Sequence, residues 1–206
     1  MGAEEYLPER RSLTALRQAA AACRGCSLYR NATQVVFGDG PATAQVVMVG
    51  EQPGDQEDRQ GRPFVGPAGK VLDRALSDAG IDRQQVFITN AVKHFKFQPR
   101  GKRRIHKRPS AEEVRACAPW FRAELDAVRP TAVVALGATA GQDLFGRSFR
   151  VTRDRGKRLD SDLAPVVMAT IHPSAILRAD QEDREAEYER LVADLRTLAR
   201  ELKKAG

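Results

Sequence analysis

Apolar and polar positions fall into two periods along the chain. Four short runs are apolar at nearly every position: 45–50 (QVVMVG), 85–90 (QVFITN), 131–137 (TAVVALG) and 164–174 (APVVMATIHPS). They predict strands buried on both faces. Helical spacing fills the intervals. Leu13, Leu16 and Ala20 share one face of a helix over 11–23, with Ser12 as its cap. Residues 70–80 predict a helix stopped by Gly80. Val114, Cys117, Phe121, Leu125 and Val128 line a helix opened by a Ser110–Glu113 capping box and ended at Arg129-Pro130. A short helix is predicted over 138–146. Tyr188, Leu191, Val192, Leu195, Leu198 and Leu202 mark an amphipathic C-terminal helix over about 182–204. Strands alternating with helices predict an α/β fold, three-layered, with a four-stranded mainly parallel sheet flanked by helices. Residues 1–206 read as one domain, with an N-terminal helix and a Cys-x-x-Cys segment over about 11–30.

Three stretches escape both periods. Residues 51–69 (EQPGDQEDRQGRPFVGPAG) hold four Gly and three Pro and predict a long loop, a feature that is usually functional. Residues 150–160 predict an irregular segment or edge hairpin. Residues 101–110 (GKRRIHKRPS) set His106 among Lys102, Arg103, Arg104, Lys107 and Arg108. Their length and glycine suggest a loop that moves, so that His106 need not touch a site without a ligand. In parallel sheets the site lies at the carboxyl ends of the strands. Three of those ends carry polar segments: GEQPGD, NAVKHFKF and HPS.

Charge narrows the partners. Lys and Arg total 34 against 27 Asp and Glu, a formal +7, which favours polyanions such as nucleic acid. No apolar run approaches the roughly 20 residues of a membrane span, and the first residues lack an apolar signal core, so the expected location is cytoplasmic. Three cysteines, Cys23, Cys26 and Cys117, argue against a disulfide framework. The Cys23-Arg-Gly-Cys26 pair precedes the first strand, which disfavours a thioredoxin-like dithiol. Cys117 on an apolar helix face fits core packing as well as ligation. His94, just after the second strand, is available as a fourth ligand. Spacing alone leaves zinc, an iron–sulfur cluster and no metal all open.

The loop and the turn together carry a resemblance. GEQPGDQEDRQGRPFVGPAG resembles the first motif of the uracil-DNA glycosylase superfamily, in the form of its iron–sulfur branch, family four. HPSAILR (172–178) resembles the second motif. NAVKHFKF followed by GKRRIH is similar to the UdgX branch, whose members become covalently attached to uracil-containing DNA. The likeness runs from about Cys23 to the C-terminal helix. It implies the fold above, a structural [4Fe-4S] cluster, and ligands at Cys23, Cys26 and Cys117, with His94 where family four has a further cysteine.

The resemblance also implies roles. Phe64 stacks on the flipped base and Asn90 reads its polar edge. His172 donates to a uracil oxygen, and Glu51 stabilises the sugar cation or orients an attacking group. Gly50, Gln52 and Asp55 belong to the base site, while Asp55 and Asp58 are open between capping and catalysis. Ser174 and Arg178 fit DNA phosphate, as do Lys102, Arg103 and Arg104 in the basic loop. His106, kept neutral by neighbouring cations, is the expected nucleophile toward C1′. The implied partner is uracil-containing DNA, single-stranded by preference, bound by a monomer. Two alternatives remain at this stage: a hydrolytic, turning-over glycosylase, and a non-catalytic iron–sulfur nucleic-acid binder.

Overall fold

The structure is a computed structural model that describes residues 2–205. Four strands form one parallel sheet: β1 (Val46–Gly50), β2 (Val86–Asn90), β5 (Ala132–Leu136) and β6 (Val166–Thr170), in the order β2-β1-β5-β6. Every residue of these strands is buried, as an all-apolar run in a doubly covered sheet requires. The pleat sends Val47, Val49, Val133 and Ala135 to a core on one face. There they meet Trp120 and Phe121 of α4 (Ala111–Val128) and Leu16 of α1 (Leu13–Ala20). Val46, Met48, Val134 and Leu136 face the other core. It is closed by Leu72 and Leu76 of α3 (Pro67–Asp78) and by Leu191, Leu195 and Leu198 of α8 (Gln181–Ala205). The three layers match the hydrophobic pattern.

Local signals fix the helix ends. The capping box of α4 is formed in both directions, with Glu113 N–H on Ser110 Oγ and Ser110 N–H on Glu113 Oε2 at 2.6 Å. Two orphan amides of the first turn are thereby satisfied. Helix α3 begins at Pro67, three residues before the pattern suggested, because proline suits the first helical position.

The stretches outside the periods differ most from expectation. The 51–69 loop contains a helix of its own, α2 (Asp55–Gln60). Residues 150–160 form no hairpin. A helical turn, α6 (Val151–Asp154), is followed by a lone antiparallel bridge from Arg158 to Met168. The basic run is half of an antiparallel hairpin, β3 (Phe97–Arg100) with β4 (Arg103–His106), rather than a loose loop. Helices α5 (Gly137–Phe145) and α7 (Pro173–Arg178) complete the α-helices of the described residues, and three short 3-10 helices add to them. No helix among the described residues is long and apolar enough to cross a membrane.

Candidate active site

Strand order reverses between β1 and β5, and a parallel sheet opens a crevice at such a switch point. A cavity of about 630 Å³ lies there, within the range of small-molecule sites. All four carboxyl ends contribute. Glu51 and Gln52 follow β1, Asn90 ends β2, Gly137 follows β5 and His172 follows β6. Phe64, His106, Ser174 and Arg178 complete the part of the wall foreseen in the sequence. Thr139 and Val151 also line it without belonging to any motif. Only the packing of α5 and α6 beside β6 brings them there.

Gly50 is a spacer. A Cβ at this position would stand 2.5 Å from Asn90 Oδ1 and 3.0 Å from the Phe64 ring, so any side chain would displace both. Phe64 has φ +55°, a left-handed conformation that a bulky residue avoids. Its ring lies 5.6 Å from that of His172, tilted by 31°. Two side-chain oxygens of lining residues, Glu51 Oε1 and Asn90 Oδ1, are buried and meet no hydrogen-bond partner. Buried oxygens are nearly always satisfied, so two orphans in one cavity mark where a ligand supplies donors.

The His-Pro-Ser turn sets a tautomer. His172 caps α7, and its Nδ1 accepts the Ser174 N–H at 3.1 Å. Ser174 Oγ lies 2.8 Å from the same nitrogen and accepts from Arg178 Nη1 at 2.9 Å. With Nδ1 an acceptor, the neutral ring carries its proton on Nε2, which can donate into the cavity. Burial lowers this imidazole to a pKa of about 4, helped by Arg178 and His106. The Ser174 hydroxyl thus lies between His172 and Arg178 and lines the cavity.

Pleat alternation divides the basic hairpin. Arg104 and His106 point inward with Phe97 and Pro99, opposite their register partners, while Arg103, Arg100 and Ile105 belong to the other face. Arg104 is not a free cation. It pairs with Asp55 Oδ1, and with Asp58 Oδ2 at 2.6 Å, and its guanidinium lies 5.0 Å from the Phe97 ring. Asp58 is 0% exposed and also takes Thr33 N–H and Oγ1. Asp55 is shared with Arg59 and stands outside the cavity lining. Both aspartates thus brace the hairpin. The exposed Lys102 and Arg103 remain directed to solvent.

Gln52 finishes the attachment. Its Oε1 accepts the Lys96 N–H at 2.8 Å, which fixes the amide orientation. Its Nε2 then donates to Lys107 O and meets His106 Nε2, each at 2.8 Å. An amide nitrogen can only donate, so His106 Nε2 is the unprotonated nitrogen and its lone pair is directed at Gln52, beside the cavity. The motion expected of the basic segment is not needed to bring His106 to the site. Arg104→Gln is expected to keep the fold but loosen the hairpin. Proteolysis within 97–108 should quicken, and the melting temperature should fall as well, because Asp58, 0% exposed, loses its cation. Unchanged cleavage would mean that the ion pairs do not hold it.

Three sulfurs lie on the other side of the sheet. Cys23 and Cys117 are buried, and Cys26 is half-buried. Among the described residues no three His, Cys, Asp or Glu side chains stand close enough to hold a single metal ion. Such an ion needs sulfur ligands about 3.8 Å apart, whereas a multi-iron cluster spreads them wider. The donor chemistry fits a cluster. Trp120 Nε1–H donates to Cys23 Sγ at 3.2 Å and Lys93 N–H to Cys117 Sγ at 3.3 Å, contacts that suit thiolate ligands. Burial pushes the Cys117 thiol up to about 12, so its thiolate needs a cation beside it. His94 is buried and its pKa is lowered by that burial, which leaves a neutral imidazole.

Residues 37–196 match the model of the uracil DNA glycosylase superfamily. The chain is similar to the type-4 uracil-DNA glycosylase of Thermotoga maritima, 38% identical over 89% of this chain and 91% of that protein. It is 36% identical to the type-4 uracil-DNA glycosylase of Archaeoglobus fulgidus, over 82% of this chain and 86% of that one. A type-5 uracil-DNA glycosylase of Pyrobaculum aerophilum is 40% identical over about half of each chain, 49% and 48%. The α/β sheet, the cavity at its switch point and the matched span agree: this chain belongs to the uracil DNA glycosylase superfamily.

Proposed function

We propose that this protein is a uracil-DNA glycosylase that excises uracil, from single strands by preference, and remains bonded through His106 to C1′ of the abasic sugar. The observation that carries the reading is the convergence of Glu51, Asn90, His172 and His106 on one cavity. The flipped base lies against Phe64, and the Asn90 amide reads its polar edge. As the C1′–N1 bond breaks, its electron pair leaves with uracil. His172 Nε2–H stabilises the charge growing on a uracil oxygen, and the Glu51 carboxylate faces the sugar cation. His106 Nε2 gives up its hydrogen bond from Gln52, its lone pair bonds to C1′, and the Nδ1 proton leaves to balance the departing uracil anion. Resemblance of the KRRIH segment to the UdgX branch supports the covalent ending. Single-strand preference is consistent with the smaller cost of extracting an unpaired base. The protein acts as one domain and as a monomer in this reading.

The same reading assigns Cys23, Cys26 and Cys117, with His94 as fourth ligand, to a [4Fe-4S] cluster. Bound there, the cluster supplies a structural link between the N-terminal segment and α4. Freshly purified protein should absorb broadly near ~400 nm and contain iron. Iron-free protein of full activity would remove the cluster from the reading.

A denaturing gel with uracil-containing and thymine-containing oligonucleotides tests the function. An adduct with the uracil strand alone that survives boiling in detergent is expected. Uracil release with turnover and no adduct would make it a hydrolytic glycosylase, and salt-sensitive binding without release would make it a binding protein. The pH dependence follows from the imidazole. Burial lowers the His106 pKa, opposed by Glu51 and aided by Arg178. Much of its surface stays open to solvent, which limits the shift. A nucleophile must be neutral, so adduct formation should be flat above about pH 7 and fall below an unshifted histidine's midpoint of about 6.5. A rate that rises as pH falls through this range would exclude neutral His106 as the attacking group.

A further inference from the structure

Behind the cavity lies a charged pair that the proposed chemistry does not use. Lys93 and Glu124 are both 0% exposed, and their charged atoms stand 2.7 Å apart. Every polar atom of the pair is satisfied. The Lys93 ammonium donates to Glu124 Oε2 at 2.7 Å, to Thr89 Oγ1 at 2.6 Å and to the main-chain oxygen of Asn90 at 2.7 Å. Glu124 Oε2 also accepts the Thr89 hydroxyl at 2.8 Å, and Oε1 accepts the Gly38 N–H at 2.9 Å.

The bond to Asn90 has a topological cause. Strand β2 is at the edge of the sheet. The Ala91 N–H points toward β1 and donates to Gly50 O at 2.9 Å, so the Asn90 carbonyl of the same peptide faces away from β1. Residues 36–39 run along that edge, with Asp39 bridged to Ile88 and Val36 N–H on Lys93 O, but none of their amides is bonded to the Asn90 carbonyl. Lys93, three residues on, folds back and supplies the donor. The main chain of Asn90 is thus held from both sides, while its Oδ1 is left without a partner beside the cavity.

We propose that Lys93 and Glu124 are positioning residues for Asn90, fixing the peptide after β2 so that its amide meets the base in one orientation. A buried ion pair is a poor way to gain stability, since apolar side chains of similar volume often serve as well or better. An apolar side chain, however, gives the Asn90 carbonyl no donor. The inference rests on Asn90 being the base-reading residue of a glycosylase.

The test is a mutant cycle read by single-turnover uracil release, with thermal melting and iron content measured alongside. Lys93→Met/Glu124→Gln keeps volume and an acceptor for Gly38. It is expected to melt near the parent temperature and to release uracil about 10- to 100-fold more slowly. Added to Asn90→Ala, the same two substitutions should change the rate by less than about 3-fold, because they act through the side chain already removed. Factors that multiply, or a parent-like rate in the double variant, would overturn the inference. If the double variant does not melt cooperatively, Glu124→Gln alone enters the same cycle with a smaller factor and the same criterion. A parent protein that releases no uracil defeats the functional reading itself, and this inference with it. An active parent with an additive cycle defeats the inference alone.

Discussion

His106→Ser is expected to abolish the covalent adduct, lowering its yield more than ~100-fold while uracil release continues. The two outcomes separate because different residues serve the two steps. In the proposed mechanism bond cleavage depends on Glu51, Asn90 and His172, none of which the substitution touches. Capture of C1′ depends on a neutral nitrogen at the cavity wall. A serine hydroxyl is a weak nucleophile without a base to deprotonate it, and its smaller volume admits water. The variant should fold. Gln52 loses one partner but keeps Lys107 O at 2.8 Å and Lys96 O at 3.2 Å, so the hairpin stays attached. Burst kinetics of the parent should become turnover. A variant that still forms the adduct would show that another group attacks, and one that releases no uracil would show that His106 serves cleavage as well.

Glu51→Gln is expected to slow uracil release about 10²- to 10³-fold, a loss of the size that follows removal of one preorganised charge from a transition state. The two side chains are nearly isosteric. What disappears is negative charge beside a sugar that becomes cationic only as the bond breaks. Glu51 Oε1 is buried without a partner. An unsatisfied buried carboxylate oxygen destabilises the folded protein by about 1–3 kcal/mol or more. The substitution should therefore leave the melting temperature unchanged or raise it, while activity falls. This opposite movement distinguishes a catalytic carboxylate from a structural one, whose loss lowers both. Glu51 also raises the His106 pKa, so the acid limb of the pH profile should move further down in the variant. Release within about 3-fold of the parent, measured in single turnover, would remove Glu51 from the mechanism.

Much of this site is legible along the chain, because strands apolar at every position end in polar segments. Glu51, Asn90 and His172 each follow such a run directly. A parallel sheet places all its carboxyl ends together whatever the lengths of the helices between them. The basic hairpin is not legible. Phe97-Gln-Pro-Arg and Arg-Arg-Ile-His have no apolar alternation, and their attachment comes from residues 44 to 54 positions away, Gln52 to Lys96 and His106 and Asp55 to Arg104 among them. Reading the run as five equivalent cations missed that the pleat turns Arg104 inward to Asp55 and Asp58. The contact of Ser174 with His172 is local, two residues apart, and shows only in the structure.

The sequence by itself determined the layers, the strand ends and the motif residues, since these follow from hydrophobic period and local capping, which act within a few residues. Only the tertiary structure decided which nitrogen of His172 faces the cavity and which of His106 meets Gln52, that Asp55 and Asp58 pair with Arg104, and that Lys93 reaches back to the Asn90 carbonyl at the edge of β2. Each of those depends on a hydrogen-bond partner brought close by chain folding, or on a peptide left unpaired at a sheet edge. A buried polar atom takes its meaning from what it touches.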